Sequence, residues 1–160
     1  MNRRAFLTAF IALPLAYAWA QRPEPTGPQP TLPTETLVIA TKSGKTHSFT
    51  VEMALTPDQQ EVGEMFRPTV PEDGGMLFDW GSARSSQMWM KNTLAALDMV
   101  FINADGTIRS IAENTVPHSL ATVDSRGPVR ATLELAAGVT AKLDIRVGDK
   151  VLHRIFGTKP

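Results

Sequence analysis

From about residue 35 the sequence is cut into short apolar stretches, many with a two-residue period, separated by turn residues. Such alternation calls for strands, because successive side chains of a pleated ribbon point to opposite faces. His47, Phe49, Val51 and Met53 alternate with Ser48, Thr50 and Glu52, and Val129, Ala131, Leu133 and Leu135 alternate with Arg130, Thr132 and Glu134. Leu37–Ile39, Met76–Phe78, Gln87–Lys91, Leu97–Ile102, Thr107–Ala112 and Lys150–Ile155 bring the set to seven or eight short strands. Lys42-Ser43-Gly44-Lys45 and Asn103-Ala104-Asp105-Gly106 read as hairpin turns, with Gly106 supplying a left-handed residue. Residues 82–86 read as a polar loop and 113–128 as a long irregular one. The pattern predicts a mainly β fold, a β-sandwich or partly open barrel, with one short helix and one helical turn.

The helix has a clear start. Thr56 suits the N-cap, Pro57 the first helical position, and Gln59 completes a capping box. Val62, Met65 and Phe66 follow at the spacing of a buried face, and Pro68 ends the segment. The helical turn is expected near Val139–Leu143.

The first twenty residues differ in kind. Arg3-Arg4-Ala5-Phe6-Leu7 precedes a short apolar run that ends at Ala18-Trp19-Ala20, the order of a signal peptide with a small-x-small cleavage site. The arginine pair makes it a candidate for twin-arginine export. The run is too short to span a bilayer comfortably, and no stop-transfer flank follows. Residues 21–34 form a proline-rich linker, with five prolines in residues 21–33, expected to be extended and solvated. The domain then covers 35–157. Removing residues 1–20 takes two of the 16 basic residues and none of the 16 acidic ones, leaving 14 against 16, net −2. Such a domain has no electrostatic reason to hold nucleic acid or an anionic membrane. Cysteine is absent, which removes disulfides, thiol catalysis and thiolate metal sites and leaves packing to stabilise the fold.

Charged residues inside apolar strands are the candidates for chemistry. Lys91 and Asn92 follow Met88-Trp89-Met90, Asp98 follows Leu97, Glu134 sits between Leu133 and Leu135, and Arg67 closes the helical segment. An unpaired charge among apolar residues is costly, so these side chains pair with one another or line a polar pocket. Met88 and Met90 could present two thioethers on one strand face as soft copper ligands, although each also reads as gap-filling core. No histidine spacing suggests a metal site, and no cofactor motif is present.

Gly63-x-Met65-Phe66-Arg67, Gly75-Met76-Leu77-Phe78, Trp89-Met90-Lys91-Asn92-Thr93, Leu97-Asp98, Asp105-Gly106, Leu133-Glu134-Leu135 and Gly148-Asp149 together resemble the DUF192 family over about residues 35–156. The resemblance implies a small β-rich fold, often with an export signal, and brings no assigned reaction. Glu64 departs from the family pattern, which is usually apolar there, and Ala95-Ala96 and Ala131-Thr132 depart too. The resulting expectation is a periplasmic or secreted, monomeric accessory module that binds a small molecule through Arg67, Lys91, Asn92, Asp98 and Glu134. The alternatives are a hydrolase- or isomerase-like enzyme using Asp98 and Glu134 with Lys91 as an electrostatic clamp, or a methionine-based copper protein.

Cleavage after Ala20 is checked by the intact mass of the protein recovered from the periplasm. The expected species begins at Gln21, and one that retains residues 1–20 contradicts the assignment.

Overall fold

The computed structural model describes residues 24–159; the signal segment and residues 21–23 of the proline-rich stretch lie outside them. The elements run β1 (Thr34–Ala40), β2 (Thr46–Ala54), α1 (Pro57–Val62), β3 (Gly74–Met88), β4 (Leu97–Ile102), β5 (Ile108–Ala112), β6 (Val123–Ala136), α2 (Val139–Lys142) and β7 (Lys150–Leu152), followed by a 3-10 turn at Arg154–Phe156.

All seven strands join one sheet in the order β5-β4-β6-β3-β2-β1-β7. Neighbours are antiparallel except β2 and β3, which run parallel and are joined by the crossover that carries α1. The sheet curls until its two edges touch. Thr107 bridges Lys150, Ile108 N–H donates to Asp149 O at 2.9 Å, and Val151 N–H donates to Gly106 O at 2.8 Å. A partly open barrel is therefore the form realised, with a buried apolar cluster on each face of one sheet. The interior of the curl holds Leu37, Phe49, Val51, Leu77, Val100, Leu133, Leu135 and Val151. The opposite face holds Met76, Phe78, Met88, Met90, Leu97, Met99 and Phe101. Among the described residues no helix is long and apolar enough to cross a membrane.

Local sequence accounts for most boundaries. The capping box forms: Gln59 N–H donates to Thr56 Oγ1 at 3.3 Å, and Gln59 Oε1 accepts from Thr56 N–H at 3.0 Å. The helix ends earlier than Pro68 suggests, because Gly63 takes φ 49° and turns the chain inward. Met65 still becomes buried, although from a turn and not a helix face. Residues 82–86 are not a loop. They continue β3 opposite β6 through irregular pairing, with Arg84 opposite Val129 and Ser85 opposite Pro128. The polarity of residues 82–85 reflects exposed side chains on a paired backbone, while Ser86 is buried. The irregular loop accordingly shrinks to residues 113–122. Lys91 and Asn92 lie in a turn beyond β3, and Asn92 takes φ 55°.

The described part of the proline-rich stretch is not solvated throughout. Gln29 Nε2 donates to Gly63 O at 3.0 Å, just past the end of α1, and to Gln59 O at 3.1 Å, which also accepts from Gly63 N–H. Leu32 is buried, and Met53 N–H donates to Pro33 O at 3.0 Å. A chain already held extended by proline loses little freedom on docking.

Asp98 is fully buried and wholly occupied with the fold. It accepts hydrogen bonds from Asn114 N–H at 2.9 Å, Gly138 N–H at 3.0 Å, Thr140 N–H at 3.0 Å and Thr140 Oγ1–H at 2.6 Å. It thereby fastens the start of α2 and the loop after β5 to β4. Asp98→Ala would strand these donors, and the expected loss is about 3 kcal/mol in chemical denaturation. A loss below about 1 kcal/mol contradicts this role.

Candidate functional site

Strand register sets the site. Glu52 pairs with Met76, Met76 with Glu134, and Glu134 with Met99, so four side chains stand in one row across β2, β3, β6 and β4. Paired residues point to the same face, here that of the methionine-rich cluster. Two glutamates thus flank one buried methionine. Gly75 permits the close packing beneath them, since a Cβ there would collide with the Glu134 carbonyl.

The turn after α1 lays Glu64 and Arg67 over this row. Gly63 is required twice: its φ is positive, and a Cβ would lie 2.9 Å from Phe78 Cζ. Arg67 grips Glu52 with two parallel bonds, Nη1 to Oε1 at 2.6 Å and Nη2 to Oε2 at 2.9 Å. Glu52 Oε2 also accepts from Leu32 N–H at 2.7 Å. Glu64 Oε2 lies 3.2 Å from Arg67 Nη1 but is buried without a hydrogen bond. The Glu134 carboxyl makes no hydrogen bond with another described residue. Glu64 and Glu134 are each only 4% exposed.

Three carboxyls therefore share one arginine. Burial favours a raised Glu52 pKa, but the Arg67 hydrogen bonds, the Leu32 N–H and the Arg67 charge outweigh it and hold Glu52 below its usual value. Burial pushes Glu64 up to about 7, with Arg67 opposing and the Glu52 charge adding to the rise. Burial, then the Glu64 charge, hold Glu134 well above the ordinary carboxylate range. Near neutrality the cluster consists of one ion pair and two acids that are wholly or partly protonated.

Both acids face a cavity of about 430 Å³. Gln60, Met65, Phe78, Met88 and Thr93 line it, and Glu61, Arg84, Gln87 and Trp89 form an exposed rim. Trp80 closes one wall; its Nε1–H donates to Thr132 Oγ1 at 3.2 Å, and the Arg84 guanidinium lies 4.3 Å above its ring.

Of the five residues singled out from sequence, Arg67 and Glu134 meet in this cluster. Lys91 and Asn92 border a neighbouring recess that shares Glu61, Met65 and Trp89 with the cavity. Lys91 Nζ is 2.7 Å from the exposed Glu24 carboxylate, a pair of small energetic weight. Asn92 supports the turn: its carbonyl accepts from Phe66 N–H at 2.8 Å. Asp98 is on the other face of the sheet, opposite Leu135, so it does not share a site with Glu134. Met88 and Met90 are core residues, and the Met90 sulfur accepts from Thr115 Oγ1–H at 3.1 Å. Among the described residues no group of three or more His, Cys, Asp or Glu is placed to hold a metal. Sequence reasoning missed Glu52, Glu64, Gln60 and Trp80. The available signal was the three-residue spacing of Glu64 and Arg67.

The DUF192 profile, described as an uncharacterized ACR, matches residues 38–153. A Sinorhizobium meliloti 1021 protein labelled a candidate transcription regulator is similar in structure, with TM-score 0.77 and 48% identity over 79% of this chain and 98% of its own. A protein of unknown function from Novosphingobium aromaticivorans DSM 12444 gives TM-score 0.74 and 34% identity over 76% of this chain and 86% of its own. No functionally curated protein matches the chain.

A carboxyl whose pKa rises on folding stabilises the fold while protonated and loses that contribution as pH climbs from the unfolded to the folded pKa. For Glu64 this window runs from 4.5 to about 7. Glu64→Gln stays neutral throughout. Relative to wild type it should gain roughly 2–3 kcal/mol between pH 5 and pH 8 in urea denaturation. His153, whose pKa burial lowers, titrates in both proteins and drops out of the difference. A pH-independent difference refutes the assignment.

Proposed function

The chain belongs to the DUF192 family, and we propose that it is a non-enzymatic binding module that receives a small molecule in the cavity over Glu64 and Glu134. The observation that carries this reading is a pair of buried carboxyls facing one open cavity, with Glu64 Oε2 left without a hydrogen bond. Buried polar groups without partners are rare, and a bound molecule would complete them. The aromatic walls, Phe78, Trp80 and Trp89, supply apolar area beside these polar groups. We place the module in the periplasm or outside the cell as a monomer, on the strength of the signal-like residues 1–20. The label on the Sinorhizobium relative is not carried over. Beyond residue 20 there are 14 basic and 16 acidic residues, which gives DNA no electrostatic footing.

Separation of Asp98 and Glu134 onto opposite faces leaves the two-carboxylate enzyme without its second group. A thermal-shift screen of a small-molecule library on wild type and Glu134→Gln tests the binding reading. The expected result is a compound that stabilises wild type and loses its effect in the variant. Equal stabilisation of both proteins by every active compound would locate binding elsewhere and refute the site.

A further inference from the structure

We infer that the ligand is an organic cation, an amine or amidinium with an apolar body, its charged head seated between Glu64 and Glu134 and its body against Trp80 and Trp89. This deepens the binding reading above and rests on it. Arg67 holds Glu52 with two hydrogen bonds and also lies 3.2 Å from Glu64 Oε2, so one cation serves all three carboxyls. Glu64 Oε2 is buried with only its ion-pair contact to Arg67, and Glu64 and Glu134 both line the cavity. A Cβ at Gly63 would stand 3.9 Å from Glu134 Oε2, so the turn that carries Glu64 lies directly over Glu134.

A neutral ligand could satisfy hydrogen bonds here, but it could not compensate the charge that appears when Glu64, with its pKa at about 7, ionises. A cation does both. The wall rings add to this preference through their faces, since the other charged groups near the cavity offset one another. Glu61 on α1 adds a third acid at the rim, while Arg84 on β3 is already stacked on Trp80 and Lys91 lies 5.2 Å from the Trp89 ring centre. Each wall ring thus already attracts one of the chain's own cations, as the negative face of an indole does.

Binding would be coupled to proton release. An ammonium arriving beside a protonated carboxyl favours its ionised form: the O–H proton leaves to solvent, and the carboxylate then pairs with the ammonium. Affinity should therefore rise with pH as Glu64, with its pKa at about 7, gives up its proton.

Titration calorimetry with benzylammonium, benzyl alcohol and benzoate tests this on the mature protein. In two buffers of different ionisation heat, benzylammonium should bind wild type with net proton release and about tenfold more tightly than benzyl alcohol. Its affinity should rise between about pH 6 and pH 8, and Glu134→Gln should weaken it about tenfold. The proton count on wild type keeps the test valid if the variant misfolds. Binding of benzyl alcohol as tight as that of benzylammonium overturns the cation and leaves the binding site standing. Benzylammonium binding without proton release overturns it too. Silence from all three probes up to roughly 10 mM overturns the cation inference, while the library screen still decides the binding site by itself.

Discussion

The two-pronged bond between Arg67 and Glu52 is the interaction on which the site depends. It fastens an irregular turn, which has no sheet hydrogen bonds of its own to fix it, onto the edge of a methionine-rich sheet face. An arginine fork matches a carboxylate in both geometry and charge, so the turn is fixed in orientation as well as position. Its side effect is electrostatic. With Arg67 bonded to Glu52, Glu64 has only a share of the same guanidinium, 3.2 Å away, and Glu134 lies in an equally poorly solvated place. Burial, which the single arginine only partly offsets, keeps both acids inclined to hold their protons.

Sheet register explains why the rest of the candidate site divides as it does. Asp98 and Glu134 lie on paired strands only one position apart in register, and that single step decides their fates. Asp98 turns into the curl and meets four donors. Glu134 turns outward beneath α1 and meets none. Similar residues in similar apolar strands thereby become a structural staple and a carboxyl that lines a cavity.

Local features of the fold were legible in the sequence where the physics is local. Thr56, Pro57 and Gln59 announce the helix start, Gly106 the hairpin, and the alternation through Leu133 and Leu135 the central strand. Where pairing is long-range, the sequence is silent. Residues 82–86 look like a loop because they are polar and 82–85 meet water, yet the segment is paired with β6. Lys91 looked like part of the pocket because it follows a buried segment, but the turn at Asn92 swings it toward Glu24. Glu64 stood out only as a departure from the family pattern. Its role depends on Gly63, whose left-handed backbone directs it inward, and on a sheet face that no local window contains.

The order of the strands has a kinetic meaning. β1 lies between β2, its neighbour in sequence, and β7, more than a hundred residues along the chain. The contacts that close the curl, from Gly106 and Ile108 to residues 149–151, likewise wait for that distant segment. Until residues 148–152 are available, two strand edges present unpaired N–H and C=O groups, open to pairing with another chain. Closure of the barrel is therefore a late event with a large loop-closure cost. A chain emerging from its N-terminus, on a ribosome or through a pore, would carry both edges exposed until nearly all of the domain had appeared.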